Sequence, residues 1–268
     1  MQLAAHKLDF AHGLRLVAEA MFVFRPLWKF TALMLPLFLG MVALGVWQLE
    51  RLQWKLVLIA EIHQNLNAGP ISATEALAIG PARASYRRVV LTGRFENARE
   101  TYVFTTDATG APVYHVVTPF TLGDGGVLLV DRGSVPERLR DPNARAAGQL
   151  SGVRRIVGIW RVPDAGGMFT PSPDLAHRIW FSRDVEAMAK VDHVSLVAPA
   201  IVEADATPNP GGWPKGGQTV VTLRNDHLQY ALTWFALAAV VVGGWIAYHI
   251  SHGRIGSLRA REEIREID

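Results

Sequence analysis

Two long apolar stretches frame the chain. Residues 30 to 49, FTALMLPLFLGMVALGVWQL, form a 20-residue run without a charge, and residues 230 to 250 form a 21-residue run of the same kind. Crossing about 30 Å of hydrocarbon takes about 20 helical residues, so each run predicts a membrane-spanning helix. Pro36 inside the first predicts a kink. After that run, ERLQWKLVLIAEIHQNLNA keeps apolar residues at helical spacing, which carries the predicted helix on to about Asn67. Ahead of it, LRLVAEAMFVF has the same spacing and predicts a helix lying on a membrane surface.

Between the two runs the period shortens. YRRVVLTGRF (86–95), ETYVFTT (100–106), PVYHVVTPF (112–120), GVLLVDRG (126–133) and RRIVGIWRV (154–162) are short and rich in β-formers. The first four are linked by ENAR, DATGA and LGDGG, turn-forming pieces that predict an antiparallel meander. HRIWFS and VSLVAPAIVEAD add strands, and RDVEAMAKV reads as a short helix. GPISATEALAIGP, punctuated by Gly and Pro, holds at most another short helix, and VPERLRDPNARAAGQLSG is a polar excursion. The predicted fold class is a membrane protein in which two transmembrane α-helices flank a mostly antiparallel α+β soluble domain. Its parts are an N-terminal segment (1–29), a first span (30–49), the domain (50–229), a second span (230–250) and a tail (251–268).

Charge sets the expected orientation. The outer flanks carry Arg15, Arg25, Lys29, Arg254, Arg259, Arg261 and Arg265, and the inner flanks carry Arg51, Lys55, Lys215 and Arg224. Cationic residues favour the cytoplasmic side, so both termini are expected there, in a cell inner membrane or, in a eukaryote, the mitochondrial inner membrane. A signal peptide fits the first run poorly, because it starts late and Arg51 and Trp54 follow it instead of a small-residue cleavage site. The formal charge is only +3, without a long basic run, which argues against nucleic-acid binding. No cysteine is present, so disulfides and thiolate metal sites are excluded.

Motifs for nucleophilic, zinc or nucleotide chemistry are missing, and no enzymatic activity is expected. GDGG joins two predicted strands and reads as a hairpin turn rather than a phosphate cradle. His115, His177 and His193 read as structural. His249 and His252, three apart, have the spacing to share a metal ion, but without a third ligand they read as interfacial side chains. The densest polar and aromatic residues lie where the spans meet the domain. GVWQLERLQWK (45–55) and NDHLQYALTW (225–234) fall at one membrane depth. Trp47, Gln48, Arg51 and Lys55 share one helical face, and His227, Tyr230, Ala231 and Trp234 share another. Trp, Tyr, Arg and Lys at that level also suit a plain interfacial belt. A second reading makes His227 an axial ligand to haem iron, with Arg51 on the propionates and Trp47, Tyr230 and Trp234 against the macrocycle.

GVWQLERLQWK, VLLVDRGSVP (127–136), MFTPSPD with RIWFSRD, and GGQTVVTLRNDHLQYALTWFALA together resemble the Surfeit-locus cytochrome c oxidase assembly factors. The N-D-H-L-x-Y-A-x-T-W-F block is the most specific part. Two departures stand out: Ser134 follows the Arg-Gly where Trp is common, and Asp131 stands where Asn is common. The resemblance implies transient binding of haem a and help with its insertion into the oxidase. His227 matches the family's proposed ligand to the haem iron. The implied partners are cytochrome c oxidase subunit I, other assembly factors, haem a synthase and the membrane. The alternative is a cofactor-free membrane-anchored scaffold that holds oxidase assembly intermediates.

Overall fold

The computed structural model describes residues 22–107, 109–163, 166–219, 221 and 223–257. In chain order the elements are β1 (Phe22–Phe24), α1 (Trp28–Asn67), β2 (Ile71–Ser72), α2 (Ala73–Ile79), β3 (Arg88–Phe95), β4 (Thr101–Thr106), β5 (Pro112–Leu122), β6 (Val127–Pro136), β7 (Arg154–Arg161), β8 (Ile179–Trp180), α3 (Val185–Val191), β9 (Leu196–Ala204), α4 (His227–Ser251) and β10 (Ile255–Ser257). They divide into two compact units. One combines residues up to Val57 with those from Arg224 onward, and the other spans Leu58–Leu223.

In the first unit, α1 and α4 are both long and apolar enough to cross a membrane, and little of either is covered by protein. The helix of α1 runs unbroken through Pro36, and its outward extension ends at Asn67, where the apolar spacing placed it. Most of the expected surface helix at 14–24 lies outside the described residues, as do Arg15, Arg259, Arg261 and Arg265. Its last three residues form β1 instead, paired antiparallel with β10.

The second unit is built on an eight-stranded sheet in the order β2-β3-β7-β9-β6-β5-β4-β8. A further pairing between β3 and β5 closes five of these strands, β3-β7-β9-β6-β5, into a ring. Closure brings the two backbones together at Gly93, where a Cβ would sit 2.0 Å from the Thr121 carbonyl oxygen. Only glycine fits that approach. The consecutive strands β3 to β6 have the expected short links, and the sheet is mixed rather than purely antiparallel. β2–β3, β4–β8 and β6–β9 are parallel pairs. The third joins strands that are not consecutive: between β6 and β9 the chain passes through β7, β8 and α3, where a two-residue hairpin would give an antiparallel pair.

The apolar run of β6 does not alternate because both of its faces are buried. Leu128 and Val130 join Phe120, Leu91 and Trp160 in one core, while Leu129 packs with Ile201, Trp180 and Met188 of α3 in another. The Trp160 indole donates to the Pro81 carbonyl at 3.1 Å, so its one polar atom is satisfied. α2 starts on a capping box in which the backbone N–H of Glu75 donates to the Ser72 hydroxyl and the Glu75 carboxylate accepts from the Ser72 backbone.

Charges also enter the interior, each with partners. Glu100 is buried against Arg145, and the Tyr102 hydroxyl donates to it at 2.6 Å. Burial, with Glu100 beside it, pushes the Tyr102 phenol above its ordinary range. Arg132 donates to the Gly148 carbonyl and lies 4.6 Å over the Phe95 ring. Burial pushes this guanidinium down to about 10, partly offset by Glu100. These contacts pin the polar excursion at 137–148, which forms 3-10 turns, to the ring.

Midway along β6, Asp131 is enclosed by the fold. His115 Nδ1 lies 2.9 and 3.1 Å from its two oxygens, Arg183 Nη2 donates at 3.1 Å, and the Gly133 N–H donates at 2.9 Å. Burial by itself would raise the carboxyl; the His115 and Arg183 charges and the Gly133 N–H overcome that and hold it below the usual carboxylate range. Gly133 has φ +106°, and a Cβ there would meet the Lys215 carbonyl oxygen at 2.0 Å. The segment around Lys215 therefore lies flat on β6, bridged to Ser134 by two 3.0 Å hydrogen bonds.

Two outcomes follow. Gly93→Ala forces the β3–β5 closure open and should cost about 2 kcal/mol or more, read as a lowered unfolding midpoint. The depressed Asp131 carboxyl contributes stability that is present above the unfolded value of about 4 and lost as pH falls through the lower folded value. Thermal unfolding from pH 7 down to pH 3 should therefore show a steeper acid-side loss for the native chain than for Asp131→Asn.

Candidate functional site

The seam between α1 and α4 is cut by small residues. On α4 the buried side recurs at His227, Ala231, Phe235, Ala238, Val241, Trp245 and His249, steps of three and four with Ala231 and Ala238 closed off from solvent. On α1 the matching stripe runs through Thr31, Met34, Phe38, Gly45 and Gln48. Gly45 faces the Phe235 ring, which a Cβ would meet at 2.6 Å. A small residue here lets the backbones come close enough for the next turn of each helix to exchange a side-chain hydrogen bond.

That bond joins His227 to Gln48. His227 Nδ1 is 2.7 Å from Gln48 Oε1, with the pair half-buried in the seam. An amide oxygen only accepts, so Nδ1–H donates and the lone pair stays on Nε2. Among the described residues Nε2 has no hydrogen-bond partner. The imidazole is thus fixed in orientation and tautomer by one nitrogen and offers the other. This is the arrangement in which a histidine serves a metal, its second nitrogen donating to a carbonyl.

Among the described residues, none of the other sequence-predicted residues makes a side-chain hydrogen bond or a ring pair with the imidazole. Trp47 is 48% exposed and Tyr230 53% exposed, so both project from the helix surface. Trp234 is half-buried. Arg51 lies 4.6 Å over the Trp54 ring, its cation held against an aromatic face rather than against His227. Asp226 stands at the N-cap of α4 but makes no side-chain cap bond; its carboxylate pairs with Arg224.

Gln48 is therefore the partner that sequence reasoning underrated. It was placed on the right face but given no role beside Trp47 and Arg51. The signal was there in the spacing: Gln48 lies one turn beyond Gly45, and His227 one turn before Ala231, so both continue the small-residue stripe.

At the opposite end of the helix pair, His249 is fully buried, which corrects its reading as an interfacial side chain. Its Nδ1–H donates to the Trp245 carbonyl at 2.7 Å, and its Nε2 accepts the Leu27 N–H at 3.0 Å. The physical reason is the head of α1, whose first N–H groups have no helical acceptor. With both nitrogens used, His249 has none left for a metal. His252 stacks on Tyr248 instead, with ring centroids 4.2 Å apart. Among the described residues no group of three or more histidine and acidic side chains is placed to hold a metal ion.

In the β-rich unit His115, read as structural, lines a cleft of about 680 Å³ together with Arg161 and Arg183. This cleft was not legible from the sequence, because His115, Arg161 and Arg183 are 22 to 68 positions apart and meet only in the folded unit.

The chain has clear relatives. A family model described as the SURF1 family matches residues 35–239, which takes in the first apolar run, the whole β-rich unit and the His227 turn. Surfeit locus protein 1 of Takifugu rubripes is 36% identical over 226 residues, covering 77% of this chain and 91% of the relative. The mouse protein of the same name, from Mus musculus, is 38% identical over 222 residues, covering 75% of this chain and 70% of the relative. A SURF1-like protein of Monosiga brevicollis is 37% identical over 232 residues, covering 81% and 86%. With a family match across most of its length and relatives above one-third identity over most of theirs, the chain belongs to the SURF1 family.

Proposed function

We propose that this protein is an assembly factor for cytochrome c oxidase, a haem–copper oxidase, which carries haem a as cargo and assists its insertion into the catalytic subunit. The observation that carries this reading is the His227–Gln48 hydrogen bond, which leaves a single oriented nitrogen at the head of α4. The surrounding residues fit the group. His227 Nε2 would hold the iron, Trp47, Tyr230 and Trp234 supply aromatic surface, and Arg51, with Lys55 one turn further, supplies cations for the propionates. When bound, the haem brings an iron with an open axial position for the imidazole. The protein's own part is to orient that nitrogen and to cover the macrocycle. One axial ligand in a seam between two helices suits a carrier, which must release what it binds.

In this reading residues 30–49 and 230–250 span the cell inner membrane, or the mitochondrial inner membrane in a eukaryote. Both termini lie in the cytoplasm or its matrix equivalent, and the domain at 50–229 stands on the far side. The partners are oxidase subunit I, other assembly factors and haem a synthase as donor. The protein itself performs no catalysis.

A second reading, a cofactor-free scaffold, is favoured by one feature. Met168 and Phe169 are 92% and 94% exposed at the tip of a loop braced by the Gly167–Thr170 turn and by the paired Asp174 and Ile179. Two large apolar side chains held out in this way serve no packing of their own and suit capture of an assembly intermediate.

The readings separate in two experiments. Protein purified from cells making haem a should carry its absorption spectrum, and His227→Ala should lose it; unchanged haem content in that variant would sink the ligand assignment. Met168→Ser with Phe169→Ser should leave haem content intact, and if it abolishes oxidase assembly while His227→Ala does not, the scaffold reading wins. Gln48→Leu removes the acceptor that fixes the imidazole and should lower haem affinity by about tenfold or more without unfolding the helix pair.

A further inference from the structure

The cleft in the β-rich unit is lined by His115, Arg161, Arg183, Glu203, Trp213 and Lys215 and has a volume of about 680 Å³, the size of a small-molecule site. Two of its cations are held by aromatic faces rather than by an acceptor. Arg161 lies 4.2 Å over the Tyr86 ring, and Lys215 lies 4.6 Å over the Trp213 ring. Arg183 is anchored through one terminal nitrogen to Asp131. His115 is anchored through Nδ1 to the same carboxylate.

Counting donors and acceptors shows what the cleft lacks. Asp131 is saturated by His115, Arg183 and the Gly133 N–H. Asp107, at the rim, spends one oxygen on the Thr109 hydroxyl and on the N–H groups of Thr109 and Ala111, and these bonds hold its carboxyl below the usual range. On the donor side, both terminal nitrogens of Arg161, Nη1 of Arg183 and Nζ of Lys215 have no acceptor among the described residues. Against them stand two carboxylates, Glu203, which makes no side-chain hydrogen bond or ion pair among the described residues, and Asp107 at the rim, whose second oxygen has no partner among them. The cleft is rich in pre-positioned donors and short of acceptors, and its lining is too polar for an apolar guest.

We propose that this cleft binds an oxyanion, a carboxylate or phosphate group, held by Arg161, Arg183 and Lys215 with His115 at the floor. Donors already locked by aromatic faces and by Asp131 lose little freedom on binding, and the guanidinium edges match the geometry of either group. Gly133 is what makes the site: its bare backbone lets the Lys215 segment lie on β6 and form the wall opposite Arg161 and Arg183.

The test uses the full chain in detergent, titrated calorimetrically with inorganic phosphate, with succinate and with a short-chain phosphatidate. Saturable binding weakened by salt is expected for at least one of them. Phosphatidate alone would make the source a lipid headgroup, and phosphate or succinate a soluble metabolite. Arg161→Gln and Lys215→Gln should each weaken binding about tenfold, the loss of one charge-assisted contact. Glu203→Gln should tighten it, because one of the two competing carboxylates is gone. All three variants leave the His115–Asp131–Arg183 cluster in place, and an unchanged thermal unfolding midpoint confirms the fold. No saturable binding of any probe, or equal binding by the native chain and the Arg161→Gln, Lys215→Gln double variant, overturns the proposal. His227→Ala should bind the same probes as the native chain, which separates this site from the haem reading.

Discussion

A polar group taken out of water favours a partner, and in this protein several of these partners come from distant parts of the chain. Asp131 gathers His115 and Arg183; Glu100 gathers Arg145 and Gln149; His249 accepts the N–H at the head of α1; His227 leans on Gln48. An unpaired buried donor or acceptor costs on the order of 1–3 kcal/mol, so each match excludes many alternative packings. Hydrophobic burial makes the ring and the helix pair compact, but these pairings decide which residues face one another. They also fix side chains at positions where chemistry needs them fixed.

The helix pair shows how small differences in volume set a site. Gly45 and Ala231 bring the two backbones together, and one turn further along the seam the larger Gln48 and His227 meet within hydrogen-bonding range. A bulkier residue at position 45 would hold the helices apart and leave both polar side chains in an apolar setting without each other. The aromatic residues nearby are free to cover a guest because they are not needed to close the seam.

Much of this was legible in the sequence, and the failures have a common cause. Apolar runs of 20 and 21 residues read directly as long helices, and the short β-rich stretches from Arg88 to Pro136 read as successive strands because their links are local. The parallel placement of β9 was not legible, because it depends on pairing with a strand more than sixty residues earlier, with β7, β8 and α3 in between. Ring closure at Gly93 likewise rests on a contact with Thr121, and the role of the DRG turn on contacts with His115, Arg183 and Lys215. The His227 site was half legible: the histidine stood out, but its partner did not, since an amide in an apolar helix has no distinctive pattern until the opposing helix is aligned with it.

The strand pair β1–β10 and the helices it follows are made of the two extremes of the described chain, with the whole β-rich unit between them. During synthesis, Gln48 emerges some 180 residues before His227. The seam therefore has no second half until the β-rich unit has been made and has had time to fold. The oriented imidazole is among the last features to exist. The order of residues along the chain thus acts as a clock: the His227–Gln48 bond can form only after the domain between them has been made.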